Sequence, residues 1–94
     1  MEIGPDVYVM QASKSGRYLA TGHASGNWKA CLWDLSNERM LWEIDQRRVV
    51  SWVGFVDQER QLVSLSENQA TIIDVADGSA LATCEYDRFQ GSYI

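Results

Sequence analysis

From Val7 onward, short apolar runs alternate with polar turn clusters at close spacing. Val7–Ala12 is rich in β-formers and is followed by the turn Lys14-Ser15-Gly16-Arg17. Tyr18–His23 is a second run, Trp28–Leu35 a third and Met40–Ile44 a fourth, separated by Ala24-Ser25-Gly26-Asn27 and Ser36-Asn37-Glu38-Arg39. The polar connector Asp45-Gln46-Arg47-Arg48 ends this series, and the pattern then restarts. Val49–Val56, Gln61–Ser66, Ala70–Val75 and Ala80–Tyr86 are four more strand-like runs, with Asp77-Gly78 as a tight-turn signal before the last. Runs of this length and spacing, bounded by turn residues, predict an all-β fold. Ser36–Arg48 is the one stretch where helix competes, because Glu38, Arg39, Met40, Leu41 and Glu43 are good helix formers. The alternation of Trp42 and Ile44 with Leu41 and Glu43 favours strand there.

The two series align with one another. Arg17 and Leu19 match Arg60 and Leu62 at an offset of 43, and Asp34 and Leu41 match Asp74 and Leu81 at an offset of 40. The difference is a shorter loop between the second and third strands of the second series. Four strands repeated with a period of about 40 residues is the spacing of one class of β-propeller blade.

Ser13 to Gly22 places a glycine-bearing polar turn before an apolar strand, and Leu32-Trp33-Asp34-Leu35 carries a Trp-Asp pair at the end of the third strand. The second copy reads Ile72-Ile73-Asp74-Val75 at the same place. On these residues the chain resembles the WD40-repeat β-propeller family over Val7 to Tyr86. The resemblance implies two four-stranded antiparallel blades, at residues 7–45 and 49–87, within a single domain of residues 1–94, followed by a tail at 88–94. It departs from the family in having no Gly-His dipeptide before either first strand, Gly22-His23 lying in the second strand instead. The aspartate usual before the third strand is absent from Ser25-Gly26-Asn27. The expectation is therefore that the family's Asp–His–Ser–Trp hydrogen-bond network is not assembled.

A blade covered on both sides by neighbours should lack clean alternation. Ala30-Cys31-Leu32-Trp33 and Val49-Val50-Ser51-Trp52-Val53 both have this character. Two blades cannot close a ring, and repeats of this kind generally need further copies or caps. Three arrangements answer this: a ring completed by homo-oligomerisation, which we rank first; membership of a longer propeller, made less expected by Met1; or a small two-sheet β-sandwich.

Composition narrows the function. The chain has 94 residues, 46% hydrophobic and 22% charged, with a net charge of −5. That balance fits a folded domain and argues against direct binding of nucleic acid, which needs clustered Lys and Arg. No apolar run approaches the length of a membrane span and no signal peptide is visible, so a cytoplasmic location is expected. Cys31 and Cys84 are too few for a disulfide framework and are expected to be reduced and mostly buried.

No catalytic motif stands out. There is one histidine, His23, and its position on a strand favours a structural role over pairing with either cysteine. One His and two unclustered Cys fall short of a metal set, and no phosphate-cradling glycine pattern occurs, so no cofactor is expected. The four tryptophans do not repeat between copies: Trp33 aligns with Ile73, Trp42 with Ala82 and Trp52 with Val9. A lectin with one site per blade should show equivalence, so sugar binding ranks low. Trp33 and Trp52 are expected in core or interface packing, and Trp28 exposed. By the resemblance, ligands would meet the second-to-third-strand loops and the connector between blades. The candidate binding residues are accordingly Asn27, Trp28, Gln46, Arg47, Arg48, Glu67 and Asn68. The expected function is a non-enzymatic protein–protein interaction module, with a small acidic inhibitor or immunity-type protein as the alternative and a lectin after that.

Overall fold

In the computed structural model, residues 7–23, 28–46 and 49–85 are described. They form eight strands: β1 (Val7–Ala12), β2 (Tyr18–His23), β3 (Lys29–Asp34), β4 (Arg39–Asp45), β5 (Val50–Val56), β6 (Gln61–Ser66), β7 (Gln69–Asp74) and β8 (Ala80–Glu85). These make two four-stranded antiparallel sheets in sequence order, β1-β2-β3-β4 and β5-β6-β7-β8. The helix-prone stretch is strand β4, paired along β3, because Trp42 and Ile44 have a core to reach on one face.

The repeat extends to the irregularities of the backbone. A bulge between Val7 and Val9 recurs between Val50 and Trp52, and one between Leu32 and Trp33 recurs between Ile72 and Ile73. The Leu35 N–H donates to the Arg17 carbonyl at 2.8 Å, and Val75 N–H to Arg60 at 2.9 Å. Left-handed backbone also recurs. Gly16 (φ 81°) corresponds to Glu59 (φ 68°), and Glu38 (φ 57°) to Gly78 (φ 78°). Asp57 (φ 52°) and Gln58 (φ 54°) add to this in the second blade alone, and every one of these non-glycine positions carries the steric cost that glycine avoids.

One core lies between the sheets. Ala20 and Leu32 of the first blade meet Val50, Val53, Leu62, Ile73 and Val75 of the second, with Val9, Tyr18, Trp42, Ile44 and Phe55 packed around them. We call the face of the first blade that enters this core its trailing face, and the face of the second blade its leading face. The approach is closest at Gly22, where a Cβ would lie 2.5 Å from Val50 Cγ1 and 2.8 Å from Val9 Cγ2. No larger residue fits there without displacing a side chain.

The edges of this core are tied by polar contacts. Trp42 Nε1–H donates to the Val75 carbonyl at 2.9 Å, crossing from β4 to the end of β7. At the turns, the Ser15 N–H and hydroxyl donate to the two oxygens of Glu59 at 2.8 and 2.6 Å. Tyr18 stacks on Phe55 nearby, with ring centroids 6.3 Å apart.

The outward faces behave differently. In β3, Ala30, Cys31 and Leu32 are all buried, whereas in β5 Ser51 and Trp52 are exposed. The expected two-sided burial of β5 is thus met on one side only, because its trailing face has no neighbour among the described residues. Trp52 is 47% exposed and lies over Gly54, so of the two places expected for it, core or interface, it is not in the core. Cys84 is likewise exposed on β8, against the expectation of two buried thiols, while Cys31 is buried.

The Ser15 donors hold the Glu59 carboxyl below the ordinary value of 4.5. A depressed carboxylate contributes stability that is complete above its unfolded value and is lost as pH falls through the folded one. Denaturant titrations should show stability declining below about pH 4.5. Glu59→Gln should lower stability at pH 7 and flatten part of that acid limb, since Asp34 and Asp77 are also held low by serine donors. An acid limb identical to that of the unsubstituted chain would remove Glu59 from the account.

Candidate functional site

Strand direction gathers the loops at two ends of the blade pair. One end carries the β2–β3 and β6–β7 loops and the β4–β5 connector; the other carries the four hairpin turns within the blades. The binding residues expected from sequence belong to the first end. Asn27, Arg47 and Arg48 lie outside the described residues, as do Ser25 and Gly26.

Trp28 is 40% exposed and sits just before β3. Its carbonyl accepts from the Gln46 N–H at 2.8 Å, so the β2–β3 loop and the connector are joined here. Beside them, Lys29 Nζ and Glu43 Oε1 form a surface ion pair at 3.1 Å. Exposed pairs of this kind contribute little to stability, but they fix charge at the rim. Glu67 is exposed and Asn68 half-buried in the short β6–β7 loop. Trp28 and Gln46 are brought together directly; Glu67 and Asn68 share their end of the sheets.

Gln46 faces inward. It is 8% exposed, and its Oε1 accepts from the Ser64 hydroxyl at 3.1 Å inside the second blade. A buried hydroxyl needs such a partner, and the connector amide supplies it. Gln46 precedes β5 and reaches the serine of β6 from the connector.

The first blade solves the equivalent problem differently. Thr21 corresponds to Ser64 and is fully buried. Its Oγ1 accepts from Trp33 Nε1–H at 3.1 Å and is 3.0 Å from His23 Nε2. His23 lies two residues along the same strand and is 2% exposed. A His–Thr–Trp network is therefore assembled, distinct from the Asp–His–Ser–Trp set of the family pattern in having a threonine and no aspartate. The physical reason is the period of two along a strand: residues 21 and 23 share a face, so a histidine displaced into β2 still reaches the hydroxyl. The register pairs Leu19 with Trp33, which brings the indole over Thr21.

Cys31 adjoins this network. Burial pushes its thiol up to about 11, and the Glu43 carboxylate adds to the rise. A thiol held protonated in this way is a poor nucleophile.

The opposite end was not foreseen as a site. A cavity of about 460 Å³ is lined by residues that include Tyr18, Asp57, Arg60, Asp74, Val75 and Leu81. A second, of about 670 Å³, runs beside β1 and β5 past Lys14, Trp52 and Phe55. Both border the Asp57–Glu59 turn, whose three residues all have positive φ. The only sequence signal there was a polar turn, which does not distinguish a cavity wall from a solvated loop.

Thr21→Val should leave the Trp33 Nε1–H without its acceptor and take one partner from His23. The expected loss is about 1–3 kcal/mol in urea unfolding, the range for orphaning a buried polar group. An unchanged midpoint would mean that the network contributes nothing.

No protein-family model matches the chain, and no curated protein does. Solved structures do. The chain is similar to the β-propeller domain of Cps50 (Swd1) from Myceliophteria thermophila at a TM-score of 0.76 and 16% identity, covering 85% of this chain and 26% of that one. It is similar to the C-terminal WD40 domain of Sif2 at a TM-score of 0.75 and 21% identity, over 84% of this chain and 22% of that one. The WD40 domain of SCAP from fission yeast gives a TM-score of 0.70 at 14% identity, over 87% and 20%. The chain thus spans between 20% and 26% of these three proteins. The superpositions run through both sheets, so the sheets are related as neighbouring blades and not as an independent sandwich. The chain has the fold of two successive WD40-type β-propeller blades.

Proposed function

We propose that this chain is a non-enzymatic protein-interaction module, in which two propeller blades, flanked by others, present their loop end to a partner protein. The observation that carries this is the repetition of faces. Leu62 and Ile73 are fully buried on the leading face of the second blade, and their counterparts Leu19 and Trp33 are half-buried on the first. Ala20 and Leu32 are fully buried on the trailing face of the first blade, and their counterparts Val63 and Ile72 are half-buried on the second. Both outward faces are versions of faces that form a core where they meet.

The site chemistry supports binding over catalysis. His23 is committed to Thr21, and Cys31 is buried with its thiol held protonated. Trp28 offers a partly exposed aromatic surface at the rim, the type of side chain that anchors protein interfaces. Gln46 acts on this view as a strut that sets the connector under Trp28. No helix among the described residues is long and apolar enough to cross a membrane. The cytoplasm is the compartment we propose, on two free cysteines.

A photo-crosslinking amino acid placed at Trp28 should give discrete adducts with another polypeptide in cells. The same group at Leu81, at the opposite end, should give none of the same mass. Absence of any protein adduct from position 28 would overturn the assignment of the loop end as the contact surface.

A further inference from the structure

The internal interface serves as a template for what the two free faces can accept. Its tightest feature is Gly22, which admits Val50 of the next blade. On the free trailing face of the second blade, the residue equivalent to Gly22 is Leu65, and the residue equivalent to Val9 is Trp52. They are paired across β5 and β6, so they stand side by side. The relief is therefore inverted at this place: where the internal face is hollow, the free face carries a leucine beside an indole.

A second copy docking by the same geometry would bring Val7, the counterpart of Val50, onto Leu65. At the internal interface even a Cβ would stand 2.5 Å from the valine methyl. A leucine adds three more carbons in the same direction. Further out, the match is tolerant. Trp42 packs over Gly78 internally, and the counterparts Ala82 and Glu38 exchange large for small. The obstacle is thus local to Leu65 and Trp52, on the first two strands.

We infer that the trailing face of the second blade receives a propeller blade of different sequence, with glycine or alanine where Val50 stands in this chain, and not a second copy of this chain. The inference rests on the proposal that both outward faces are inter-blade surfaces. The occupant is a four-stranded sheet because the rest of the face, Val63 and Ile72 above all, repeats the apolar positions that a sheet covers internally. It is a different blade because Leu65 fills the hollow that this chain's own first strand would need.

Sedimentation equilibrium of the full chain tests this. The unsubstituted chain should remain at its monomer mass across a hundredfold range of concentration. The double variant Trp52→Val, Leu65→Gly restores the internal relief and should self-associate at least tenfold more strongly, building larger species as concentration rises. Where that variant loses the β-sheet circular dichroism of the parent, Trp52→Val with Leu65→Ala is the test pair, and the same gain is expected. A closed trimer or tetramer of the unsubstituted chain would overturn the inference while leaving the faces as blade surfaces. Folded variants that stay monomeric would overturn it differently, by showing that Leu65 and Trp52 are not what bars a copy.

Discussion

The structure depends on one close approach, that of Val50 to Gly22. Two twisted sheets share a core only if their inner strands come near enough for small and branched side chains to interlock. Gly22 lets β2 accept β5, and Ala20 and Leu32 then share a core with Leu62 and Ile73. Burying these side chains is the main favourable term for so short a chain, whose surface-to-volume ratio limits what any core can supply. The Trp42 bond to Val75 and the Ser15 clasp on Glu59 tie the rims of that contact, at the outer strands and at the turns.

The same constraint separates the interior faces from the free ones. The two copies differ at positions where a blade meets its neighbour: Gly22 against Leu65, Val9 against Trp52, Trp42 against Ala82. Backbone features are shared more closely: the bulges fall at equivalent places, as do the left-handed residues Gly16 and Glu59, and Glu38 and Gly78. The repeat preserves the shape of a blade and varies the side chains that decide which blade lies beside it. The polar networks follow a similar logic. Both copies bury a hydroxyl in the second strand, one satisfied by His23 and Trp33, the other by Gln46.

Much of the fold was legible in the sequence because strands and turns are local. Tyr18–His23 and Gln61–Ser66 are short runs bounded by polar turns, and their limits in the structure are those the pattern predicts. The offset shared by Arg17, Leu19, Arg60 and Leu62 exposed the repeat. The partners of side chains were not legible. Nothing local marks Gln46 as buried, because its acceptor role depends on Ser64, eighteen residues away on another strand. The strand position of His23 points to a structural role, but its partner is hidden, because sequence order does not display that residues 21 and 23 share a face. Trp52 was open to core or interface because a run of apolar residues does not say which of its faces has a neighbour. Trp28 could be assigned to the rim because a tryptophan beside a small polar loop has little nearby apolar surface to bury it.

A single core between the sheets holds both blades, so neither should persist without the other. Hydrogen–deuterium exchange along a urea titration, resolved to peptides from β2–β3 and from β6–β7, tests this most directly. The account predicts that slow exchange in the two segments is lost at one urea concentration, with the same opening free energy. Protection that survives in one sheet after the other has exchanged would contradict it, and would make the blades independent units that merely touch at Gly22.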